Sequence, residues 1–434
     1  MMKTPYRMSR RSFIKGMMAL AASAELSLFG GKPPAFAQAR SLHLLAWSHF
    51  IKEADKLTRK QLDEFEKMTG VKVNFETINA NDIPARATAA VEGGTGPDIF
   101  QLQWNQPHLY AAALEDHTKL AEELGGDKVY SYQREAAIVK GVYRGVPYYG
   151  IGNAVAYRKD IFEKVGVKKL PETWDEYLEA GKKLKQFGMP VGQTLGHTFG
   201  DAPTFCYPLL WSFGGKEVDE NQKVAINSKE TANAIDFLRE FWFAACDESG
   251  TSWDDSSNNR AFFAETIAAT LNGASIYFVA RYNPEKAPPG MADKIGHFLL
   301  PKGPAGRFHT ILPFTNCVTK YSKNKEPAME LIRFLMEEKN YADYIHVQKG
   351  YGLGRTPDWE NDPMWDEDPA VEPYRYNAKY ARNFGYAGPY DRKASEVQAK
   401  YIIIDIFAKA VKGESTKSII AWAEKELKNV YERA

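Results

Sequence analysis

The sequence predicts an α/β protein of two lobes, each built on a mostly parallel sheet flanked by helices. A chain of 434 residues is too long for one compact core, which makes two lobes the expected arrangement. Residues 42–102 alternate between strand and helix patterns, which is typical of a parallel sheet covered by helices. Residues 141–162 hold two strand-like runs joined at Gly150 and Gly152, and glycine tolerates the backbone changes of a chain that crosses between lobes. Two ordinary strands of one sheet would explain that stretch equally well.

The first α/β unit contains five elements. Strand, helix, strand, helix and strand are predicted, in that order, over residues 42–46, 54–68, 71–77, 85–91 and 98–102. Ligands of parallel sheets lie beyond the carboxyl ends of the strands. Trp47, His49 and Trp104 follow strand ends, so this rim is where we expect a ligand.

A second α/β unit follows the glycine-rich crossing. Thr173–Glu176 is a capping box that opens a helix. The polar, aromatic loop 197–201 leads into another helix, and Asn227 with Glu230 is predicted to cap a third. A strand over residues 267–271 completes this unit.

The last third of the chain adds a strand over residues 295–300, a turn-rich exit, and a periodic helix that begins at Asn324. Two regular helices, with apolar positions over 397–411 and 420–430, close the chain. Before them, residues 351–389 are rich in Trp, Tyr, Pro and Asp and have little periodicity. A coil of that length inside a compact protein is usually functional or packed against a lobe.

The N-terminus has the pattern of an export signal. Ser9–Lys15 is a twin-arginine motif, apolar residues 16–29 follow it, and small residues predict cleavage after Ala37 or Ala39. The apolar stretch is too short to span a bilayer, and no later segment reaches the roughly 18 unbroken apolar residues required. We therefore expect residues 1–39 to be removed and a soluble, already folded protein to reach a bacterial periplasm.

The net charge and the spacing of the cysteines argue against nucleic-acid binding and against a disulfide framework. Residues 1–39 carry six of the 56 basic and one of the 55 acidic residues, so the formal charge of the remainder falls from +1 to −4 and gives no support to nucleic-acid binding. Cys206, Cys246 and Cys317 are far apart in the sequence, and Cys206–Cys246 is the one disulfide pairing that we consider. We expect three buried thiols instead.

The order of these parts resembles the extracellular solute-binding proteins of ABC importers, specifically the sugar-binding group that includes maltose-binding protein. The motifs that carry the resemblance are Trp47 after the first strand, Gly94–Asp98 (GTGPD), Tyr157–Asp160, Thr173–Tyr177 (TWDEY), Phe298–Gly303 (FLLPKG) and the helix Glu326–Met336. The resemblance implies a two-lobed periplasmic binding protein fold whose lobes close on a solute. It implies lobes formed by residues 40–151 with 300–341 and by residues 152–299 with 342–434.

The resemblance also implies a site and partners. The family's pocket positions lie at strand ends and correspond here to Trp47, His49, Gln103, Trp104, Asn153, Asp201 and Tyr277, with Asn316, Tyr351 and Arg355 as further candidates. Aromatic rings stack on sugar faces, and polar side chains bond hydroxyl groups. Many relatives have Trp at the position of Ser275, so either Tyr277 takes the stacking role there or the ligand is smaller or differently shaped. The implied partners are a carbohydrate and the permease subunits of an ABC transporter, with a monomeric protein and no cofactor.

Three other functions fit parts of the sequence. A thiol enzyme would use Cys317 with His309, whose only link in the sequence is their proximity. Metal capture is disfavoured because the eight histidines are scattered without HxxH or HxxxH spacing. A receptor for a sugar acid or a phosphorylated polyol would use Arg281 and Arg355.

Overall fold

The computed structural model describes residues 41–433, and the predicted signal peptide, residues 1–39, lies outside that part. Nineteen α-helices occur in the described residues: α1 (Lys52–Thr69), α2 (Ile83–Gly93), α3 (Gln106–Tyr110), α4 (Thr118–Glu123), α5 (Ser131–Ala137), α6 (Lys159–Lys164), α7 (Trp174–Phe187), α8 (Asp201–Ser212), α9 (Lys229–Ala245), α10 (Ser257–Phe263), α11 (Ser275–Tyr282), α12 (Met291–Lys294), α13 (Lys325–Leu335), α14 (Glu338–His346), α15 (Met364–Glu367), α16 (Glu372–Arg375), α17 (Arg392–Ala399), α18 (Ile402–Val411) and α19 (Thr416–Tyr431).

Twelve strands alternate with these helices in the same part of the chain: β1 (Ser41–Trp47), β2 (Lys72–Ile78), β3 (Ile99–Gln103), β4 (Ile138–Val139), β5 (Val142–Tyr143), β6 (Val146–Ile151), β7 (Ala154–Arg158), β8 (Val191–Gly192), β9 (Ala269–Asn272), β10 (Ile295–Phe298), β11 (Leu312–Val318) and β12 (Gly352–Leu353). Ten of them form two sheets, and β4 pairs only with β5.

The two sheets define the two lobes. A six-stranded sheet in the order β12-β6-β11-β3-β1-β2 and the helices packed on it form the first lobe. A four-stranded sheet in the order β10-β7-β9-β8 and its helices form the second lobe. Strands β1, β2, β3 and β6 run in one direction and β11 and β12 in the other, whereas β7 alone opposes its neighbours' direction in the small sheet. The prediction of two α/β units with mostly parallel strands is therefore confirmed.

The glycine-rich stretch is a crossing between sheets. Strand β6 pairs in the six-stranded sheet and β7 in the four-stranded sheet, with only Gly152 and Asn153 between them. A side chain at Gly152 would come within 2.8 Å of the Asn377 amide and 2.9 Å of Leu353. Glycine is therefore needed here for close approach, and the alternative of two strands in one sheet is wrong.

Local sequence signals explain where several helices begin and end. Helix α1 ends at Gly70, whose φ of 73° is the left-handed conformation that glycine adopts readily. The capping box at α7 is present in full, because the Thr173 hydroxyl accepts from the Glu176 N–H and the Glu176 carboxylate accepts from the Thr173 N–H. The prediction for α9 is corrected. Its cap is Ser228, whose hydroxyl accepts from the Thr231 N–H, whereas Asn227 donates to Glu424.

Tertiary contacts override two other expectations. The helix predicted over residues 397–411 is broken, because Tyr401 has a φ of 56° and its ring stacks on His197 at 4.3 Å. The first lobe was predicted to end at residue 341, but β12, at residues 352–353, still pairs with β6 in its sheet. The remaining lobe boundaries stay predictions.

Cys206, Cys246 and Cys317 are free and buried, as expected. Within residues 41–433, no helix combines the length and the apolar character needed to cross a membrane.

Candidate functional site

The ring of Trp47, the last residue of β1, lies where the two lobes meet. Its indole N–H donates to the Tyr149 hydroxyl at 2.9 Å, and its ring stacks on Phe314 with centroids 5.3 Å apart and planes 22° apart. The same ring lies against Phe199 of the second lobe, with centroids 5.8 Å apart and planes tilted by 58°. Contacts within the first lobe therefore fix this ring where it meets the second lobe.

Trp104 makes a direct bond between the lobes. Its φ of 50° lies in the left-handed region, which is uncommon for a bulky residue and marks a conformation imposed by the surrounding fold. Its backbone N–H donates to Pro313 O at 3.0 Å, and its indole N–H donates to Phe199 O at 2.8 Å. Its ring also packs on Phe384 at 4.5 Å. The side chain is 2% exposed, so both lobes bury it.

The loop that precedes α8 is held by a carboxylate from elsewhere in the second lobe. Asp255 accepts from the Phe199 N–H at 3.2 Å and from the Asp201 N–H at 2.7 Å. These bonds orient the Phe199 carbonyl towards Trp104 and set the position of the Asp201 carboxylate. Asn258 donates to Asp201 Oδ2 at 2.6 Å, whereas Asp201 Oδ1 accepts no bond from a described residue.

The charge at this loop is negative and has no counterion in the described structure. Burial, followed by the nearby Asp255 charge, raises the pKa of Asp201 well above its usual range. Burial also raises the pKa of Asp255 to about 6. No lysine, arginine or histidine of the described chain lies within ion-pair distance of either carboxylate. At pH 7 the negative charge therefore lies on Asp255, and Asp201 is protonated and can both donate to and accept from a hydroxyl group.

Tyr351 and His49 lie at the same junction. Tyr351 packs on Gly273 of the second lobe, where an added Cβ would lie 2.9 Å from its ring, and burial raises the pKa of Tyr351 well above the usual range. The His49 ring meets Tyr351 edge to face at 5.3 Å and tilts against Trp47 at 4.7 Å. His49 Nε2 donates to Gln348 at 3.1 Å, its Nδ1 accepts from Ile51 N–H at 2.9 Å, and burial lowers its pKa to about 3. His49 is therefore a neutral, fully engaged side chain that supports the aromatic rings.

Gln103 has a buried amide without a partner. The residue is fully buried, and neither its side-chain nitrogen nor its oxygen is hydrogen-bonded within the described chain. It pairs in register with Phe314, so it lies on the same sheet face as the ring that stacks on Trp47. A buried amide costs free energy unless it is bonded, so this group is available to a polar molecule in the junction. We call Trp47, Gln103, Trp104, Phe199, Asp201 and Tyr351 the junction site.

Four sequence-predicted residues have other contacts. Asn153 donates to Thr310 O at 2.7 Å and accepts from His309, and so holds the crossing between lobes. Tyr277 donates to Asp368 at 2.7 Å and packs edge to face on His297. The Asn153 amide and the Tyr277 hydroxyl are therefore both bonded within the protein.

The other two lie in the first lobe. Asn316, on β11, is 3.5 Å from the Gln101 amide in the lobe interior. The Arg355 guanidinium donates to Leu124 O and lies over the Tyr341 ring at 5.6 Å, and burial lowers its pKa. Asn316 nevertheless lines one cavity of the first lobe together with Trp47 and His49. The structure therefore places Trp47, His49, Gln103, Trp104, Asp201 and Tyr351 around the junction, whereas Asn153, Tyr277 and Arg355 are engaged in other contacts.

Sequence reasoning missed Phe199 and Asp255 as members of this site. Phe199 belongs to the polar, aromatic loop that the sequence identifies, but its contribution is a backbone carbonyl and a ring that no motif predicts. Asp255 lies 54 residues after Asp201 and has no sequence signal that links the two. Chemically, the arrangement offers aromatic faces from both lobes and hydrogen-bonding groups between them.

Comparison with known proteins relates the whole arrangement to one family. The family described as bacterial extracellular solute-binding protein matches residues 51–342, more than half of the chain. A binding protein of Brucella abortus is 23% identical over 62% of this chain and 65% of its own length. The erythritol/L-threitol-binding protein of Mycolicibacterium smegmatis is 23% identical over 63% of this chain and 62% of its own length. The chain thus spans just under two thirds of the length of these relatives.

A solved structure shows the same fold. The maltose-bound MalE3 protein of T. maritima superposes with a TM-score of 0.77 over 90% of this chain and 100% of its own chain, at 22% identity. The architecture is therefore the two-lobed one of periplasmic sugar-binding proteins. Together with the family match, this establishes that the chain belongs to the bacterial extracellular solute-binding protein family.

Proposed function

We propose that this protein is the solute receptor of an ABC importer and that it captures an uncharged carbohydrate or polyol between its lobes. The observation that carries the proposal is the junction site, where the Trp47 and Phe199 rings meet from different lobes and the Asp201 carboxyl group follows Phe199 in the same loop. Aromatic faces pack on the C–H faces of sugars, and carboxylate and amide groups bond hydroxyls. Closure around such a solute would be favoured by contacts that both lobes make with it.

The relatives support the same solute class. One of them is named for erythritol and L-threitol, which are polyols, and the structural relative holds maltose. Both solutes are uncharged and rich in hydroxyl groups. Because Asp201 and the amide of Gln103 suit hydroxyl partners, we extend this class to the present chain.

An anionic solute receives less support. Arg355 is buried against Leu124 O in the first lobe, and Arg281 is exposed on α11. Asp255, whose pKa of about 6 leaves it ionised at pH 7 and which accepts from the Asp201 N–H, would repel a phosphate or a carboxylate. We therefore propose that sugar acids and phosphorylated polyols are poor ligands.

We propose no catalytic role. Cys317 is fully buried on β11, its Sγ is 3.6 Å from Thr315 O, and burial raises its pKa well above the usual range, so it is a poor nucleophile. His309, its partner in the thiol-enzyme hypothesis, bonds Asn153 through Nδ1, and burial lowers its pKa to about 3. These contacts favour structural roles for both residues.

Export and delivery complete the proposal. We propose that the twin-arginine motif sends the folded chain to the periplasm, where the monomer docks on an integral-membrane permease pair. Replacing both Arg10 and Arg11 by lysine should leave the full-length precursor in the cytoplasm, as measured by fractionation and immunoblotting. Normal appearance of the shortened protein in the periplasm would contradict this route.

A thermal-shift screen tests the solute class. The purified protein is heated with monosaccharides, disaccharides and polyols, and with matched sugar acids and sugar phosphates. A ligand at 100 times its Kd adds about 2.7 kcal/mol of stability, which raises the melting temperature measurably. We expect shifts from uncharged compounds. Shifts from the acids and phosphates alone would overturn the proposal.

A further inference from the structure

The lobes touch at one side of the junction site through the loop after β3. Asn105 is fully buried there, and its amide donates to Asp391 O of the second lobe at 2.7 Å. The Ser395 hydroxyl of α17 donates to Asn105 O at 3.4 Å. Because Asn105 directly follows Trp104, these contacts close the cleft immediately beside the Trp104 ring.

The lobes also touch in two other places around the site. The Asn283 amide, at the end of α11, is 3.5 Å from Glu53 in the first turn of α1. Tyr351 packs so closely on Gly273, which follows β9, that a Cβ on Gly273 would lie 2.9 Å from the ring. The contacts of Asn105 after β3, Glu53 after β1 and Tyr351 before β12 therefore surround the junction site at the rim of the first lobe.

Two hydroxyl groups on α11 are bonded within the second lobe. Ser275 donates to Asn272 Oδ1 at 3.1 Å and accepts from Asn259 at 3.0 Å. The Tyr277 hydroxyl donates to Asp368 at 2.7 Å, and its ring packs edge to face on His297. Both hydroxyl groups donate their protons within the lobe, so neither can donate to a second sugar unit.

The centre of the site is closed in this structure. The Trp47 and Phe199 rings are in contact, with centroids 5.8 Å apart and planes tilted by 58°. A sugar ring between two aromatic rings needs about 7–8 Å, two carbon contacts of 3.5–4.0 Å each, so the lobes must part to admit it. That separation fixes the thickness of the solute, and the rim contacts limit how far a second linked ring can extend beside the first.

We propose that the closed site takes a single sugar ring or an acyclic polyol and excludes linked sugars of two or more units. This inference rests on the proposed function and adds the size of the solute. It assigns the selection for size to the rim contacts of Asn105 and Asn283, which close the cleft without belonging to the junction site.

Titration calorimetry on the purified protein tests the inference. The probes are erythritol, mannitol and the matched pairs glucose with maltose and arabinose with an arabinose oligosaccharide. At least one single-unit sugar or polyol should bind with a Kd about tenfold or more below that of any disaccharide or oligosaccharide. A Kd that is lower for a linked sugar than for its own monomer would overturn the size inference and leave the proposed function standing. Failure of every uncharged probe would overturn both.

Variants at the rim test the assigned cause. In Asn105→Ala, the ratio of disaccharide to monomer Kd should fall about tenfold, because one exit of the cleft is no longer closed. Asn283→Ala tests the rim contact with Glu53 in the same way. It replaces Asn105→Ala as the test if a lowered melting temperature shows that Asn105→Ala does not fold. Asn227→Ala, an exposed site bonded to Glu424, is the matched control and should keep the ratio unchanged. An unchanged ratio in both rim variants would overturn the role of the rim.

Discussion

The second lobe buries carboxyl groups in two regions that differ in where they lie. In the Asp201–Asp255 pair, Asp255 accepts from backbone N–H groups of the loop before α8, and Asp201 retains an oxygen without a bond from the described protein. Glu217, beyond the end of α8, is fully buried and accepts from the Tyr431 hydroxyl at 3.3 Å, and burial raises its pKa to about 8. Its Oε1 likewise has no bond from the described protein.

The difference shows that a raised pKa does not by itself identify a binding site. Both regions are desolvated, and desolvation is the largest cause of each shift. Glu217 is enclosed by its own lobe, between Tyr386 O, which accepts its backbone N–H, and the last helix. Asp201 instead lies in the loop that bonds Trp104 of the other lobe. In our proposal, position at the lobe junction is what distinguishes Asp201 from Glu217.

Glu217 should dominate the dependence of stability on pH. Its folded pKa, about 8, lies above the ordinary value of 4.5, so the folded state keeps a proton that the unfolded state has lost. Its contribution to stability is therefore greatest below pH 4.5 and falls as the pH rises towards 8. For a shift of this size the loss is on the order of 4 kcal/mol.

The measurement is the difference in unfolding free energy between wild type and Glu217→Gln, from denaturant titrations at pH 5 to 9. Subtraction cancels the other titrating groups, including His49 and His309, whose lowered pKa values act in the opposite direction. Glu217→Gln should gain stability relative to wild type as the pH rises, with solute affinity unchanged. A constant difference across the range would contradict the assignment.

Removing the carboxylate that holds the loop should cost nearly as much. Asp255→Ala leaves two backbone N–H groups without their acceptor, so we expect a loss of about 3 kcal/mol in unfolding free energy at pH 7 and a large loss of affinity for an uncharged ligand. Asp254→Ala is the matched control, because Asp254 is the exposed neighbour. Equal losses in the two variants would contradict a special role for Asp255.

Asp201→Asn should separate binding from folding. An amide cannot donate and accept through one oxygen as the protonated carboxyl group can, so affinity for an uncharged sugar or polyol should fall by about 1–3 kcal/mol. The unfolding free energy should change little, because the amide is a neutral group of the same shape and can keep the contact with Asn258. Calorimetry and thermal melts measure the two quantities, and Glu217→Gln is the comparison that should keep its affinity. Unchanged affinity in Asp201→Asn would remove Asp201 from the site.

The smallest expected effect comes from the bond between the lobes. Trp104→Phe keeps an aromatic ring but loses the N–H that donates to Phe199 O, so affinity should fall by about 0.5–1.5 kcal/mol. Trp422→Phe, in the C-terminal helix α19, is the matched control and should bind normally. If Trp104→Phe binds as tightly as wild type, this bond does not contribute to closure.

Patterns over neighbouring residues were enough for much of the fold. The period of apolar residues predicted the first five elements, Gly70 ended α1, and the TWDE capping box opened α7. These local patterns gave the wrong structure where a residue distant in the sequence made a competing contact. Ser228 replaced Asn227 as a cap, and stacking of Tyr401 on His197 broke a regular helix. In both cases the competing local choices differ by a free energy that one tertiary contact can exceed.

The candidate site shows the same difference between what local sequence predicts and what tertiary contacts decide. The sequence alone determined that aromatic and polar residues follow the strand ends, because the carboxyl edge of a sheet is set by strand order. It also determined the family. Only the tertiary structure decided which of these side chains meet, since Trp104 and Phe199 are 95 residues apart, and Tyr277 and Arg355 find partners elsewhere. A side chain's partner depends on the packing of the whole chain, whereas its strand or helix depends mainly on its neighbours.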